Sequence, residues 1–201
     1  MYPLLETIRC EGGKFYNLEA HQQRVNRAFQ ELWPQETPIQ LQEYLQISTK
    51  LNIKQSYKYR IVYGLQVKEI TITPYRIRPI QSLRLIEAPE LQYHHKKEDR
   101  NALKVLFDQR GDCDDILITQ NGYLTDTYYC NLACWNGKQW LTPENPLLRG
   151  TQRAKLIQEK VIIPASIHQN DLKNFEKVML FNAMIDPEVL VVDVDNISFN
   201  R

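Results

Sequence analysis

The chain has 201 residues, enough for one substantial core or two smaller ones. A formal net charge of +1 argues against a nucleic-acid partner, which usually requires a concentrated basic surface. No stretch approaches the roughly 20 apolar residues of a membrane-spanning helix, and the first residues lack the basic-then-apolar order of a signal peptide. The four cysteines fit no zinc pattern. We therefore expect a cytoplasmic protein with reduced thiols, without a metal, membrane or nucleic-acid partner.

The first half of the chain is predicted to form a sheet with two helices. Gly12-Gly13 and Gly64 lie between short alternating runs, as in hairpins. Asn17 precedes apolar residues at helical spacing and is predicted to be an N-cap. The predicted elements are strands 4–10 and 14–16, helices 18–32 and 39–47, and strands 57–63 and 67–73. Prolines then indicate an extended linker, with a domain boundary near residues 76–84.

The second half is predicted to consist mainly of strands. Gly111 ends one helix, Asn121-Gly122 forms a tight turn, and Gly150 opens another helix. The predicted elements are strand 83–86, helix 100–109, strands 115–119, 131–135 and 139–141, helix 151–160, and strands 161–167, 177–181 and 190–194. The fold class is therefore α+β, with one domain at residues 1–80 and another at residues 81–201.

Several short patterns follow one another along the chain. They are Glu6-Thr7-Ile8, His21-x-x-Arg24, Lys96 with Arg100, Gly122-x-x-x-Asp126, Asn131, Thr142-Pro143, Leu147-x-x-Gly150-Thr151-x-Arg153 and Phe181-Asn182-Ala183. In this order and spacing they resemble the fold-type IV (class IV) pyridoxal-phosphate aminotransferases. The resemblance runs from about residue 5 to residue 192. It implies a small α/β sandwich domain followed by a β-rich pseudo-barrel domain, the latter carrying the cofactor lysine and most cofactor contacts.

Pyridoxal 5′-phosphate requires a lysine that can shed its proton and form an imine, and burial or a nearby cation favours this. Lys96 and Lys97 are both candidates, and an isolated Lys-Lys pair is more often a solvated charge run. The spacing to Arg100 and Asp126 in the family pattern favours Lys96. The resemblance thus implies that Lys96 holds the cofactor as a Schiff base and acts as the catalytic residue.

The pyridine nitrogen of the cofactor stays protonated when a carboxylate lies beside it. The family supplies a Glu five residues before an Asn, and Asp126 before Asn131 matches this position with a side chain one methylene shorter. We expect the backbone to lie closer or a water to intervene. Either carboxylate favours the pyridinium, so the resemblance assigns Asp126 to the cofactor.

The cofactor phosphate requires hydrogen-bond donors and positive charge, which a helix N-terminus supplies. By resemblance, the amides of Thr151 and Gln152 hold the phosphate, and Asn182 with Ala183 forms a second phosphate loop. Arg24 matches the phosphate arginine of the family on the first long helix, and a guanidinium suits a bidentate phosphate contact.

Other polar residues are assigned less specifically. Arg60, Tyr93 and Arg100 could line the substrate side, although each is equally consistent with an ordinary strand or surface position. His21 lies one turn before Arg24 and is expected to support it structurally.

The family includes branched-chain and D-amino-acid aminotransferases and 4-amino-4-deoxychorismate lyase. Larger members carry an extra N-terminal strand and loop, whereas this chain begins almost directly at the Glu6-Thr7-Ile8 segment, as smaller lyase-like members do. The resemblance therefore favours a lyase that acts through an external aldimine and forms 4-aminobenzoate and pyruvate for folate synthesis. A D-amino-acid or branched-chain-type aminotransferase is the alternative, and an inactive binding protein that keeps the fold is a more distant one. Family members work as dimers, so a homodimer with a small-molecule amino substrate is expected.

Overall fold

A computed structural model describes residues 2–47 and 51–199. The chain divides into two compact units. Unit 1 contains the described residues up to Ile77 together with His95–Asp99, and unit 2 contains Arg78–His94 and the described residues from Arg100 onward. Strands dominate both units, and the predicted α+β class is confirmed. Within the described ranges, no helix has the length and apolar character needed to span a membrane.

Unit 1 is a four-stranded antiparallel sheet covered by one long helix. Its strands are β1 (Leu4–Glu11), β2 (Lys14–Phe15), β3 (Tyr57–Tyr63) and β4 (Val67–Pro74), in the spatial order β2-β1-β3-β4. Helix α1 (Leu18–Leu32) has the predicted bounds. Asn17 is its N-cap residue, but through a left-handed backbone (φ 54°) and without a side-chain capping bond. Side chains from the sheet and from α1 form one apolar core, which includes Ile8, Tyr59 and Phe29.

The prediction of a helix over residues 39–47 is wrong. Only a single 3-10 turn, Leu41–Tyr44, forms in this segment. The Gln22 side chain donates to the Ile39 carbonyl at 2.9 Å and accepts from the Leu41 amide at 2.8 Å. Gln22 therefore occupies the Ile39 carbonyl, which a helix would have used to accept from the Glu43 amide, and that amide donates to the Gln40 carbonyl instead.

The segment His95–Asp99 lies beside β1. The Leu5 amide donates to the Lys96 carbonyl and the Glu98 amide donates to the Pro3 carbonyl, each at 2.9 Å. Leu4 and Lys97 form an antiparallel bridge. Lys96 was predicted to lie in the second domain, whereas these backbone hydrogen bonds place it in unit 1. The local sequence of residues 95–99 contains no signal for a partner strand ninety residues earlier.

Unit 2 contains two sheets and two short helices. The first sheet has the order β13-β5-β6-β7, built from β5 (Leu83–Glu87), β6 (Asp115–Gln120), β7 (Tyr123–Thr127) and β13 (Ile197–Ser198). The second has the order β10-β9-β8-β11-β12, built from β8 (Asn131–Trp135), β9 (Trp140–Pro143), β10 (Ile162–Ala165), β11 (Lys177–Asn182) and β12 (Ile185–Asp193). Helix α2 (Asn101–Phe107) connects the parallel pair β5 and β6, and α3 (Thr151–Gln158) connects the parallel pair β9 and β10.

Turns and helix ends in unit 2 largely follow the sequence. Asn121 and Gly122 both have positive φ (51° and 80°), the conformation of a tight hairpin turn between β6 and β7. Helix α2 is shorter than predicted and continues as a 3-10 turn up to Arg110, after which Gly111 has φ 60°. Helix α3 begins at Thr151 as predicted and ends at Gln158, two residues earlier than predicted.

Candidate active site

The two adjacent lysines of unit 1 have different surroundings. The Lys97 ammonium lies 4.6 Å from the centroid of the Tyr2 ring. The charge of Lys96 instead acts on the buried His21 ring, where it contributes to lowering the pKa of His21 after the larger effect of burial. Lys96 is half-buried, and its backbone carbonyl is fixed by the Leu5 amide. The side chain of Lys96 therefore lies within electrostatic range of a charged cluster formed by β1 and α1.

That cluster consists of Glu6, His21 and Arg24. The alternation of β1 places Glu6 between Leu4 and Ile8 on the face that packs against α1. His21 and Arg24 are three residues apart and so share a face of the helix. Glu6 accepts from His21 Nδ1 at 2.5 Å, from Arg24 Nε at 2.8 Å and from an Arg24 Nη atom at 2.5 Å. The sheet and α1 are thus joined by a fully buried carboxylate with two basic partners.

The electrostatics of this cluster hold Glu6 in its ionised form. Burial alone would raise the pKa of Glu6, but the Arg24 guanidinium and the His21 hydrogen bond lower it to about 2. Burial lowers the pKa of His21, against the opposing effect of Glu6. His21 was predicted to be a structural support, and its contacts agree with that role. Arg24, the predicted phosphate residue, has two of its nitrogens committed to Glu6, which orients the guanidinium.

Arg60, predicted on the substrate side, forms two ion pairs within unit 1. It lies 2.8 Å from Glu98 and 3.6 Å from Glu69. Glu98 is two residues after Lys96, and on the other side of the lysine His95 lies 3.3 Å from Glu31 of α1. Arg60 therefore helps to hold the lysine-bearing segment, a contact that local sequence patterns did not indicate.

In unit 2, Asp126 lies near the end of β7 and is 5% exposed. Its Oδ1 accepts from Asn131 Nδ2 at 2.6 Å, and its Oδ2 accepts from the Leu148 amide at 2.8 Å. Burial raises the pKa of Asp126 to about 7, although both hydrogen bonds and the charge of Arg153 lower it. The structure therefore contains a desolvated carboxylate that a nearby cation would favour in its ionised form.

Thr151 and Gln152 form the first turn of α3, and both side chains are buried. The first N–H groups of any α-helix have no acceptor within the helix and carry the positive end of its dipole. Gly150 precedes them in an extended conformation (φ −67°, ψ 148°). A Cβ atom at Gly150 would overlap Asn131 Oδ1, so the glycine is required by the close approach of that side chain.

Asn182 and Ala183, the predicted second phosphate loop, lie at the end of β11 and are half-buried. Asn182 Oδ1 accepts from the Met184 amide at 2.8 Å, and its Nδ2 donates to the Tyr129 carbonyl at 3.3 Å. The side-chain amide therefore folds back on its own turn and joins it to the residues that follow β7.

Arg100 and Tyr93, both predicted on the substrate side, contact each other in unit 2. Arg100 Nη1 donates to the Tyr93 hydroxyl at 3.2 Å, and another Nη atom donates to the Tyr128 carbonyl. The guanidinium carbon lies 5.5, 4.8 and 4.9 Å from the ring centroids of Tyr93, Tyr128 and Tyr129. These contacts give Arg100 an evident structural role in holding the turn between β7 and β8.

Three residues have clear roles in these networks that sequence analysis did not assign, namely Glu6, Asn131 and Arg153. Arg153 is 8% exposed and donates to the Pro143 carbonyl at 2.8 Å, and its charge acts on Asp126. All three occur in the motifs that carry the family resemblance. Asp126 lies only five residues before Asn131. Arg24 is 18 residues from Glu6, Leu148 is 17 from Asn131 and Pro143 is 10 from Arg153, so these contacts become visible only in the folded chain.

Comparisons with known proteins identify the family of this chain. A model of the amino-transferase class IV family matches residues 3–192. An uncharacterized protein of Haemophilus influenzae is 37% identical over 186 residues, which cover 92% of this chain and 98% of that protein. A Schizosaccharomyces pombe protein named "putative aminodeoxychorismate lyase" is 27% identical over 90% of this chain and 85% of its own length.

Two solved structures illustrate the likeness in three dimensions. The crystal structure of a "putative 4-amino-4-deoxychorismate lyase" from Haemophilus somnus has a TM-score of 0.85 at 32% identity, covering 92% of this chain and 97% of that one. A hypothetical aminotransferase from Mycobacterium tuberculosis in its PLP-bound form has a TM-score of 0.73 at 15% identity, covering 98% of this chain and 81% of that one, which shows a shared fold. The family match and these relatives establish that the chain belongs to the class IV aminotransferase family.

Proposed function

We propose that the protein is a pyridoxal-phosphate-dependent enzyme that acts on a small amino compound, and that its reaction is that of 4-amino-4-deoxychorismate lyase. The observation that carries the proposal is the 32% identity to the Haemophilus somnus structure over nearly the whole of both chains. The lyase reaction releases pyruvate from 4-amino-4-deoxychorismate and leaves 4-aminobenzoate, a precursor in folate synthesis.

The residues of each unit fit the chemical needs of this cofactor. Unit 1 offers Lys96 as the amine, and Arg24 as a guanidinium oriented by Glu6. Unit 2 offers the amides of Thr151 and Gln152 for a phosphate. It also offers Asp126, a buried carboxylate suited to a protonated pyridine nitrogen. Each oxygen of Asp126 already accepts one hydrogen bond and can accept another.

When bound, pyridoxal phosphate supplies an aldehyde that forms imines with amines and a ring that withdraws electrons. The work left to the chain is positioning and proton transfer. Lys96 would attach the cofactor, and as a free amine Lys96 Nζ would take a proton from the substrate ring and deliver it to the enolpyruvyl group, which leaves as pyruvate when its C–O bond to the ring breaks. Asp126 would hold the ring nitrogen in its protonated form, and the first turn of α3 would fix the phosphate end.

Cofactor attachment can be tested at single-residue level. Purified protein is mixed with pyridoxal phosphate, reduced with borohydride and digested, and the modified lysine is identified by mass spectrometry. We expect the adduct on Lys96, its loss in Lys96→Ala, and its retention in Lys97→Ala, a matched neighbouring control. Absence of any adduct, or an adduct retained in Lys96→Ala, would contradict the proposal.

The reaction itself is tested with two substrate sets. Release of 4-aminobenzoate and pyruvate from 4-amino-4-deoxychorismate would support the lyase. Transfer from D- or L-amino acids to 2-oxoglutarate, without that release, would support the second candidate, an aminotransferase. The second candidate is favoured by the match of residues 3–192 to the model of the amino-transferase class IV family. If the protein binds no cofactor and catalyses neither reaction, it is an inactive binding protein that keeps the fold.

We also propose that the protein is cytoplasmic and works as a homodimer, as the resemblance to the family implies. Light scattering at working concentration measures the mass directly. Twice the mass of one 23.8 kDa chain is expected, and a purely monomeric active enzyme would contradict the dimer.

A further inference from the structure

Two side chains hold the turn that precedes helix α3. Asp126 Oδ2 accepts from the Leu148 amide at 2.8 Å, and Asn131 Nδ2 donates to the Leu148 carbonyl at 2.9 Å. Asn131 Nδ2 also donates to Asp126 Oδ1 at 2.6 Å. Both backbone polar groups of Leu148 are therefore bound by a pair of side chains that are bound to each other.

Asn131 contacts the same turn at a second point. Its Oδ1 lies so close to Gly150 that a Cβ atom there would overlap it. The backbone of Gly150 is in a conformation open to any residue, so this contact explains the glycine. The Asn131 carboxamide thus contacts the turn at two points, by a hydrogen bond at Leu148 and by close packing at Gly150.

The contacts of Asp126 and Asn131 with this turn lie in a buried environment, where hydrogen bonds are strongest. Asp126 and Asn131 are 5% and 7% exposed, so water competes weakly for these groups. Both N–H bonds of Asn131 Nδ2 have acceptors, namely Asp126 Oδ1 and the Leu148 carbonyl, which fixes the amide with Oδ1 toward Gly150. Within the same first turn of α3, Arg153 donates to the Pro143 carbonyl at 2.8 Å and anchors the helix itself.

From this geometry we infer that Asn131 is a positioning residue. It orients the amides of Thr151 and Gln152 at the start of α3, and the phosphate end of the cofactor depends on it. The identity of the anion rests on the function proposed above. The ordering of the turn by Asn131 does not depend on that function.

The ordering is tested by amide hydrogen exchange on the whole protein without added ligand. In Asn131→Ala we expect exchange at residues 148–152 to accelerate about tenfold or more, as for loss of a buried hydrogen bond. The matched control is Asn136→Ala at the other end of β8, whose Oδ1 accepts from the Lys138 and Gln139 amides and whose loss should affect only that hairpin. Unchanged exchange at residues 148–152 in Asn131→Ala would overturn the inference.

A second variant approaches the contact from the opposite side and guards against poor folding of the first. Gly150→Ala should also accelerate exchange at residues 148–152, because the new methyl group displaces Asn131. In the double variant Asn131→Ala, Gly150→Ala the methyl group has room, so exchange should match Asn131→Ala alone. Strict additivity of the two changes would overturn the close-packing part of the inference.

The effect on the anion is measured by comparing dissociation constants for pyridoxal phosphate and for pyridoxal, which lacks the phosphate. Asn131 also binds Asp126, so Asn131→Ala should weaken the binding of both compounds, but that of pyridoxal phosphate about tenfold more than that of pyridoxal. Equal weakening of both would contradict a role at the phosphate. If the unaltered protein binds neither compound, the proposed function fails, while the exchange result still decides the role of Asn131 in the turn.

Discussion

Glu6 offers the sharpest test of the electrostatics in unit 1. The substitution Glu6→Gln keeps the size of the side chain and imitates its protonated form. It leaves the two basic partners, His21 and Arg24, facing a neutral amide in a fully buried site. The ionised carboxylate is stabilised there, so the substitution should destabilise the fold.

The size of the effect follows from the pKa. The pKa of Glu6 falls from an ordinary 4.5 to about 2, because the charge and hydrogen bonds of its partners outweigh burial. Each pH unit between the two values corresponds to roughly 1.4 kcal/mol, so the ionised form contributes about 3 kcal/mol to the free energy of unfolding. The folded-state pKa is the lower one. The contribution is therefore fully present above pH 4.5 and is lost as the pH falls through 2.

Urea unfolding of the unaltered protein and of Glu6→Gln measures this contribution directly. The difference in unfolding free energy should be about 3 kcal/mol at pH 7 and should shrink steadily below pH 4.5. Glu11→Gln, at the exposed end of the same strand, is the matched control and should change stability little. A difference below about 1 kcal/mol at pH 7, or one that does not vary with pH, would refute the reasoning.

Three further outcomes are expected. Gly122→Ala should lower the unfolding free energy by at least about 1 kcal/mol, because Gly122 has φ 80° and a Cβ there would overlap the His168 ring. Adding His168→Ala should restore part of the lost stability, and unchanged stability of Gly122→Ala would contradict the prediction. Burial raises the pKa of Asp126 to about 7, so the unfolding free energy should fall as the pH rises from about 4 to 7. In urea unfolding, Asp126→Asn should reduce this fall, and an unaltered dependence of the unfolding free energy on pH would contradict the prediction. Burial also raises the pKa of Cys130 to about 12, so alkylation followed by peptide mapping should find Cys113 modified well before Cys130 in the folded protein, and equal rates would disprove the protection.

Local patterns in the sequence predict much of the fold. Helix α1 has its predicted bounds, and the turn at Asn121-Gly122 forms where its residues favour positive φ. The predicted helix at residues 39–47 does not form because Gln22, from a distant part of the chain, binds the Ile39 carbonyl that the helix would have used as an acceptor. Hydrophobic periodicity depends on neighbouring residues alone and cannot predict a hydrogen bond from a distant side chain.

The same limit applies to the candidate site. The entry into α3 at Gly150 follows from sequence, since glycine before a helix is a local signal. The reason for that glycine is Asn131, nineteen residues earlier, and periodicity cannot supply it. Arg60 was predicted either on the substrate side or at an ordinary strand position, and its ion pair with Glu98 spans 38 residues and joins it to the lysine-bearing segment. Sequence patterns identify the residues that belong to the candidate site, and the folded chain shows which groups each of them contacts.

Because His95–Asp99 belongs to unit 1, a segment of this chain cannot be exchanged freely with the matching segment of a relative. A gene fragment ending at codon 77 would encode unit 1 without Lys96 and would leave the Pro3 carbonyl and the Leu5 amide without these backbone partners. During translation, β5 has already been made before unit 1 can be completed. A recombinant that joins the first 77 residues of one relative to the remainder of another would keep the backbone hydrogen bonds. It would have to match Glu31 with His95 and Arg60 with Glu98 across the junction.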